Sequence, residues 1–129
     1  MQSVTQRCKT LVIEDSNASR RVLCAILRMR GHDVECAGSI AEGMALLQWG
    51  PQCLLLDLNL PDGSGIQVLR YIRENAMPIR VAIISAAHDR MLGEARDAGA
   101  DFVMRKPLNV SRLQYWLDEA DNVTSEVEV

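Results

Sequence analysis

The chain has 129 residues, enough for one domain with a substantial core, and carries 48% apolar and 24% charged residues with a net charge of −3. Mixed signs with a slight acidic excess argue against a nucleic-acid-binding surface and against a polybasic membrane patch. No apolar run approaches the ~20 residues of a membrane span, and the start, MQSVTQRCK, lacks the continuous apolar core of a secretory signal, so the expected location is the cytoplasm.

In chain order, residues 9–14 (KTLVIE) read as a first strand. Ala18, Val22, Ile26 and Met29 then recur at helical spacing, and Gly31 stands where a helix C-cap would. Residues 32–37 (HDVECA) alternate as a second strand. Residues 39–49 are helical, opening with Ser39 and Glu42 in capping-box spacing and closing before Gly50-Pro51. Residues 53–57 form a third strand, and Ile66, Leu69 and Ile72 mark a third helix that ends before Met77-Pro78. Residues 79–85 (IRVAIIS), rich in β-branched side chains, give a fourth strand. Met91, Leu92 and Ala95 suggest a fourth helix, weakened by Gly93 at a cost of about 1 kcal/mol relative to alanine. Residues 101–104 are a short fifth strand, and Val110, Leu113, Trp116, Leu117 and Ala120 outline a last amphipathic helix. The domain is expected over residues 8–121, with 122–129 as a frayed acidic tail or linker stub.

Five alternations of strand and helix predict an α/β fold: a parallel five-stranded sheet, covered by helices on both faces and wound with right-handed crossovers into a three-layer doubly wound sandwich. Cys8, Cys24, Cys36 and Cys53 are widely spaced and lie in or beside apolar runs. They read as small buried hydrophobes, since zinc ligation needs close pairs in loops.

In a doubly wound sheet, functional groups collect beyond the carboxyl ends of the strands. Those ends carry Glu14-Asp15, Asp57, Ser85 and Lys106-Pro107. Two like charges ~4 Å apart repel by about 1 kcal/mol in water and about 4 kcal/mol at an effective dielectric of 20, so the acids need a cation. An oxygen donor set without His or Cys favours Mg²⁺ or Mn²⁺. Lys106 and Ser85 would then bind oxygens of a phosphoryl group attached to Asp57, a carboxylate being a competent nucleophile. Separately, each residue has an ordinary account: an acid pair at a helix N-terminus, a cap, a solvated lysine. Their joint placement at four strand ends is what the ordinary accounts leave unexplained.

With Glu14-Asp15, the segment LLLDLNLPDGSG, Ser85-Ala86 and Lys106-Pro107 in this order, the chain resembles the receiver domain of two-component response regulators from about residue 9 to about residue 121. The resemblance implies a flavodoxin-like (βα)5 fold with strand order 2-1-3-4-5. It implies that Asp57 accepts phosphate from a phosphohistidine of a sensor kinase or histidine phosphotransfer protein. Glu14 and Asp15 match the metal-binding acids, and Asn59 the residue whose backbone carbonyl completes the metal site. Ser85, with Ala86 after it, matches the phosphate-binding switch, Lys106 matches the ion-pair partner of the phosphate, and Lys106-Pro107 resembles the family's cis peptide. A homodimer through the face of helix 4, strand 5 and helix 5 is also implied. Such a domain catalyses only its own phosphorylation and dephosphorylation, and regulates a partner or attached output domain.

One departure from the family pattern stands three residues before the lysine, where Val103 replaces the usual Tyr or Phe. Phe102 is adjacent but alternation sends it to the opposite face, so signalling is expected to run through the loop after Ser85 and the Gly93-bearing helix. Two other functions share parts of the pattern. A phosphatase of the haloacid dehalogenase type also uses an aspartate nucleophile, and Asp57-Leu58-Asn59 resembles its motif with Asn in place of the second acid. A flavodoxin would need hydroxyls and amides after the first strand, where Glu14-Asp15 would repel a flavin phosphate. His32 is expected at the opposite edge as a structural residue, and His88 at the rim of the site.

Overall fold

The computed structural model describes residues 8–127. Strand β1 (Lys9–Ile13) leads to α1 (Asn17–Met29), β2 (Asp33–Ala37), α2 (Ile40–Leu46) with a 3-10 turn at Leu47–Trp49, and β3 (Cys53–Leu56). A small hairpin pairs Asn59–Leu60 with Gly63–Ser64 before α3 (Ile66–Glu74), β4 (Arg80–Ser85), α4 (Asp89–Asp97), β5 (Phe102–Arg105) and α5 (Val110–Val127).

The five main strands form one parallel sheet in the order β2-β1-β3-β4-β5, the predicted topology. Residues 54–56, all leucine, are at most 1% exposed. Being wrapped on both faces removes the polar alternation of a half-exposed strand. Fully burying such a side chain is worth about 1.5–3 kcal/mol.

Alternation divides the core between two layers. Leu11, Ile13, Leu54 and Leu56 pack with Leu69 and Ile72 of α3 and Leu92 and Ala95 of α4. Val12 and Leu55 pack on the other face with Leu23 and Leu27 of α1 and Leu113, Trp116 and Leu117 of α5. Phe102 takes this second face, its ring stacked on Trp116 with centroids 5.6 Å apart, while Val103 packs into the first. The alternation expected for that dipeptide holds.

The helix starts are fixed by side chains. Ser16 Oγ accepts the Ser19 N–H, and Ser39 Oγ accepts the Glu42 N–H. Glu42 reaches back to the Gly38 N–H at 2.7 Å, one residue before the partner of an ideal capping box. Asp62 adds a cap from a distance, its carboxylate accepting the Ile40 and Ala41 N–H groups.

Several details differ from the sequence expectations. The first and third strands stop one residue earlier, leaving Glu14 and Asp57 on the connecting loops. The hairpin over residues 59–64 was not expected, because two-residue arms carry no periodic signal. Helix α5 continues to Val127, beyond the expected domain end at residue 121; residues 128–129 of the expected tail lie outside the described residues. Cys24 and Cys36 are not independent small hydrophobes: α1 and β2 bring them together as a sulfur–sulfur pair, with Cα atoms 7.6 Å apart. Among the described residues no helix is long and apolar enough to cross a membrane.

Candidate functional site

Three backbone hydrogen bonds carry the sheet one residue past its strand ends and so place the site. The Glu14 N–H donates to Ala37 O at 2.9 Å, the Asp57 N–H to Ile13 O at 3.0 Å, and the Lys106 N–H to Ser85 O at 2.9 Å. Glu14, Asp57 and Ser85 are consequently buried polar residues at 2%, 6% and 0% exposure. Buried groups of this kind must find partners, and these find one another.

Lys106 Nζ donates to Glu14 Oε1 at 2.7 Å and to Asp57 Oδ2 at 3.1 Å. The other Asp57 oxygen, Oδ1, accepts the Ser85 hydroxyl at 2.6 Å and the Asn59 N–H at 3.0 Å. Ser85 Oγ in turn accepts the Ala87 N–H at 3.2 Å and the Leu58 N–H at 3.4 Å. Glu14 Oε2 accepts the Ser16 N–H at 3.0 Å, and Arg20 holds the backbone of the acid pair by donating to Glu14 O at 2.7 Å.

The electrostatics follow from this wiring. Burial pulls the Asp57 carboxyl upward, but the hydrogen bonds from Ser85, Asn59 and Lys106 outweigh it and leave the group below its ordinary value. Glu14 lies on the other side of the balance: burial holds its carboxyl above the ordinary value despite the Lys106 and Ser16 contacts. Burial alone would depress Lys106, yet the two carboxylates raise it. An anionic Asp57 beside a cationic Lys106 is the favoured state.

Of the predicted residues, Glu14, Asp57, Ser85 and Lys106 meet in one hydrogen-bonded group. Asp15 is exposed beside Glu14, and Ala86 is exposed after Ser85. Asn59, expected to contribute its carbonyl, contacts Asp57 through its N–H. The Lys106-Pro107 peptide is cis. His32 is buried far from the site against Thr10, 2.8 Å from its hydroxyl, and His88 caps the start of α4, its carbonyl accepting the Met91 and Leu92 N–H groups. A largely apolar cleft of about 290 Å³ opens beside Glu14 and Lys106, walled by Val22 and Leu23 of α1 and by Pro107 and Leu108.

Among the described residues no three acidic, His or Cys side chains are grouped to hold a metal ion. Lys106 stands instead between Glu14 and Asp57, where the expected cation would lie. The donors still suit a hard divalent ion, being carboxylate oxygens with no competing imidazole or thiolate. Two carboxylates already sharing one positive charge are a fit for such an ion, provided that Lys106 yields an oxygen to it.

Arg20 and the Leu58 and Ala87 amides carry no signal in the sequence, and Gly65 shows there only within the turn-rich segment after Asp57. A Cβ at Gly65 would collide with the Asp57 carbonyl oxygen and lie 3.1 Å from Leu58 Cα. The glycines after Asp57 were visible as turn chemistry; which of them touches the Asp57 backbone was not, because that depends on how the hairpin folds back.

A family model described as the response regulator receiver domain matches residues 10–118. The KDP operon transcriptional regulatory protein KdpE of Escherichia coli K12 is 35% identical over 106 residues, covering 81% of this chain and 47% of KdpE. The probable chemotaxis protein CheY of Rhizobium etli is 30% identical over 117 residues, covering 87% of this chain and 91% of that protein. In fold, the chain superposes on a CheY-like response regulator receiver domain protein of Methanospirillum hungatei JF-1 with a TM-score of 0.86, covering 94% of this chain and 98% of the other at 24% identity. The chain spans about half the length of transcriptional regulators such as KdpE and nearly all of the CheY relative. With its parallel sheet in the receiver order and Asp57, Ser85 and Lys106 in mutual contact, the chain belongs to the receiver domains of two-component response regulators.

Proposed function

We propose that this receiver domain takes a phosphoryl group onto Asp57 from a phosphohistidine of a sensor kinase or histidine phosphotransfer protein. The single observation that carries this reading is that the two Asp57 oxygens are engaged separately, Oδ2 by Lys106 and Oδ1 by Ser85. An Asp57 oxygen attacks phosphorus, the new O–P bond forms, and the P–N bond electrons return to the donor imidazole. Asp57 enters as the carboxylate, the form that its hydrogen bonds from Ser85, Asn59 and Lys106 favour and that attack on phosphorus needs. Lys106 and Ser85, already within hydrogen-bond reach, then neutralise and bind phosphoryl oxygens. The apolar cleft beside α1 supports a protein donor, whose own apolar surface it would receive.

Glu14, Asp15, Asp57 and the Asn59 carbonyl would hold Mg²⁺, or Mn²⁺ in its place. Bound there, the ion supplies positive charge to the phosphoryl oxygens. The domain is no enzyme toward a separate substrate; its chemistry is its own phosphorylation and dephosphorylation, in the cytoplasm. Its output is a change of surface read by a partner, an attached domain or a second copy. For a second copy, α5 offers exposed Val110 and Tyr115 next to β5.

The test is intact-mass spectrometry after acetyl phosphate treatment, with and without Mg²⁺. One phosphoryl mass per chain, dependent on Mg²⁺ and absent from Asp57→Asn, is the expected result. Retained labelling in that variant overturns the assignment. Steady turnover of small phosphate esters would favour a hydrolase of the haloacid dehalogenase type.

A further inference from the structure

Arg105 is the last residue of β5, directly before Lys106, and stands opposite Ser85 in the sheet register. Its guanidinium crosses the loop between β4 and α4, donating from Nη1 to Ala87 O at 3.0 Å and pairing through Nη2 with the Asp89 carboxylate. The Ala87 N–H donates to Ser85 Oγ at 3.2 Å, and that hydroxyl donates its one proton to Asp57 Oδ1. Ala87 is therefore held at both backbone groups: by the site through its N–H, and by Arg105 through its carbonyl. A continuous series of hydrogen bonds runs from Asp57 through Ser85 and Ala87 to Arg105. The next residue after Arg105 is Lys106, which contacts Asp57 from the other side.

The position of Arg105 gives this series its meaning. It lies two residues after Val103 and so on the same side of the strand, the side where the family pattern would put an aromatic ring. Val103 is half-buried against the first core layer, and its apolar side chain can make no polar link to the loop. The strand residue that does touch the loop is Arg105. If the Ser85 hydroxyl swings onto a phosphoryl oxygen, the Ala87 N–H loses its acceptor, and the loop can follow only by stretching or releasing the Arg105 contact.

We infer that Arg105 is a positioning residue that latches the β4–α4 loop in its unphosphorylated place and sets how readily Ser85 and the loop move when Asp57 is modified. The latch concerns regulation of the proposed acceptor site; only its phosphorylated half rests on that reading. Most of the coupling runs through Ala87 O. The Asp89 side chain is 94% exposed and that of Arg105 46%, and solvent-exposed ion pairs of this kind contribute little. The charge-assisted bond to a backbone carbonyl is the stronger contact.

The experiment records amide spectra and hydrogen exchange of the full chain in metal-free buffer for wild type, Arg105→Ala, Arg105→Lys and Asp89→Asn. It then repeats the spectra of wild type with acetyl phosphate and Mg²⁺. Arg105→Ala is expected to raise exchange at the Ala87 amide about ten- to hundredfold, the scale of one hydrogen bond to a charged group. Its unlabelled amides over residues 86–89 should already lie partway along the direction that labelling produces in wild type. Asp89→Asn should have the smaller effect, and Arg105→Lys should restore part of the protection. The inference is overturned if Arg105→Ala leaves the residues 86–89 amides in place, if they move in an unrelated direction, or if Asp89→Asn matches it. A wild type that takes no label would sink the proposed function while the exchange series still decides whether the latch exists.

Discussion

Lys106 Nζ meets Glu14 Oε1 at 2.7 Å across a sequence separation of 92 residues, and Glu14 is 2% exposed. The contact gives the buried acid just past the first strand a cationic partner from the chain itself. It also sets up a competition, because any divalent ion that uses the same oxygens must take them from Lys106.

Replacing Lys106 by Met leaves Glu14 and Asp57 buried without their cation. Breaking a buried pair costs about 3–5 kcal/mol. The Lys106 side chain is 23% exposed, so a loss of about 2–3 kcal/mol is expected here. Mg²⁺ should return part of it, since the ion would then meet two carboxylates with no competing ammonium. Urea unfolding with and without Mg²⁺ measures both quantities. A variant as stable as wild type in metal-free buffer would contradict the pairing.

The sequence alone leads to the expectation that Asp57→Asn leaves the metal-free fold at least as stable, because it relieves repulsion among acids. The structure reverses that sign. Asp57 is held below its ordinary value of 3.8 by hydrogen bonds that outweigh its burial, so its ionised form stabilises the fold. That contribution is fully present above about pH 3.8 and is lost as pH falls through the lowered folded value. Asp57→Asn should therefore cost on the order of 1 kcal/mol near neutrality, with the gap to wild type closing below pH 3.8. Paired unfolding curves between neutral and acid pH check this, and a gap that widens on acidification would refute it.

How much could be foreseen differed by feature. The layered fold was legible because strand and helix periods alternate cleanly, and residues 54–56, three buried leucines, have no half-exposed reading. Asp57, Ser85 and Lys106 were legible because a doubly wound sheet sends its strand ends to one edge. The role of Lys106 as the cation between Glu14 and Asp57 was not, since strand-end placement says which groups meet but not which charge wins. Arg20 and Arg105 escaped notice for a different reason. Each is a long side chain binding backbone carbonyls, Glu14 O and Ala87 O, and no residue pattern encodes a contact to a carbonyl. The meeting of Cys24 and Cys36 depends on the packing of α1 against β2, which spacing alone does not specify.

Glu14→Gln should show the opposite pH behaviour to Asp57→Asn. Burial raises the Glu14 carboxyl above 4.5, so its contribution to stability is full below pH 4.5 and is lost as pH rises through the raised folded value. The neutral variant escapes that loss and should gain on wild type as pH climbs through this window. If Glu14 helps to hold Mg²⁺ as proposed, the same substitution removes the charge of one ligand and should shift Asp57 labelling to higher Mg²⁺ concentrations. Unfolding at a series of pH values, followed by labelling across a Mg²⁺ titration, reads the two effects. Equal pH profiles for the variant and wild type would show that Glu14 is not desolvated as described.

Gly65 tests whether the Asp57 loop must lie where it does. Its φ of −61° and ψ of −17° are open to any residue, so backbone freedom is not the reason for glycine. The reason is space: an added Cβ would strike the Asp57 carbonyl oxygen and approach Leu58 Cα to 3.1 Å. Neither obstacle is a flexible side-chain tip, and the Gly65 N–H is tied to Leu58 O at 2.9 Å. Relief must come from the segment that carries Asp57. Gly65→Ala is expected to cost about 1–3 kcal/mol, the range for forcing atoms into a packed site. It should also slow acetyl phosphate labelling of Asp57, by misplacing the carboxylate relative to Lys106 and Ser85. Gly93→Ala is the control: nothing lies within 4 Å of a Cβ there, and alanine in place of a helical glycine should add up to about 1 kcal/mol. Were Gly65→Ala to match wild type in both stability and labelling rate, the loop would have room that this geometry denies it.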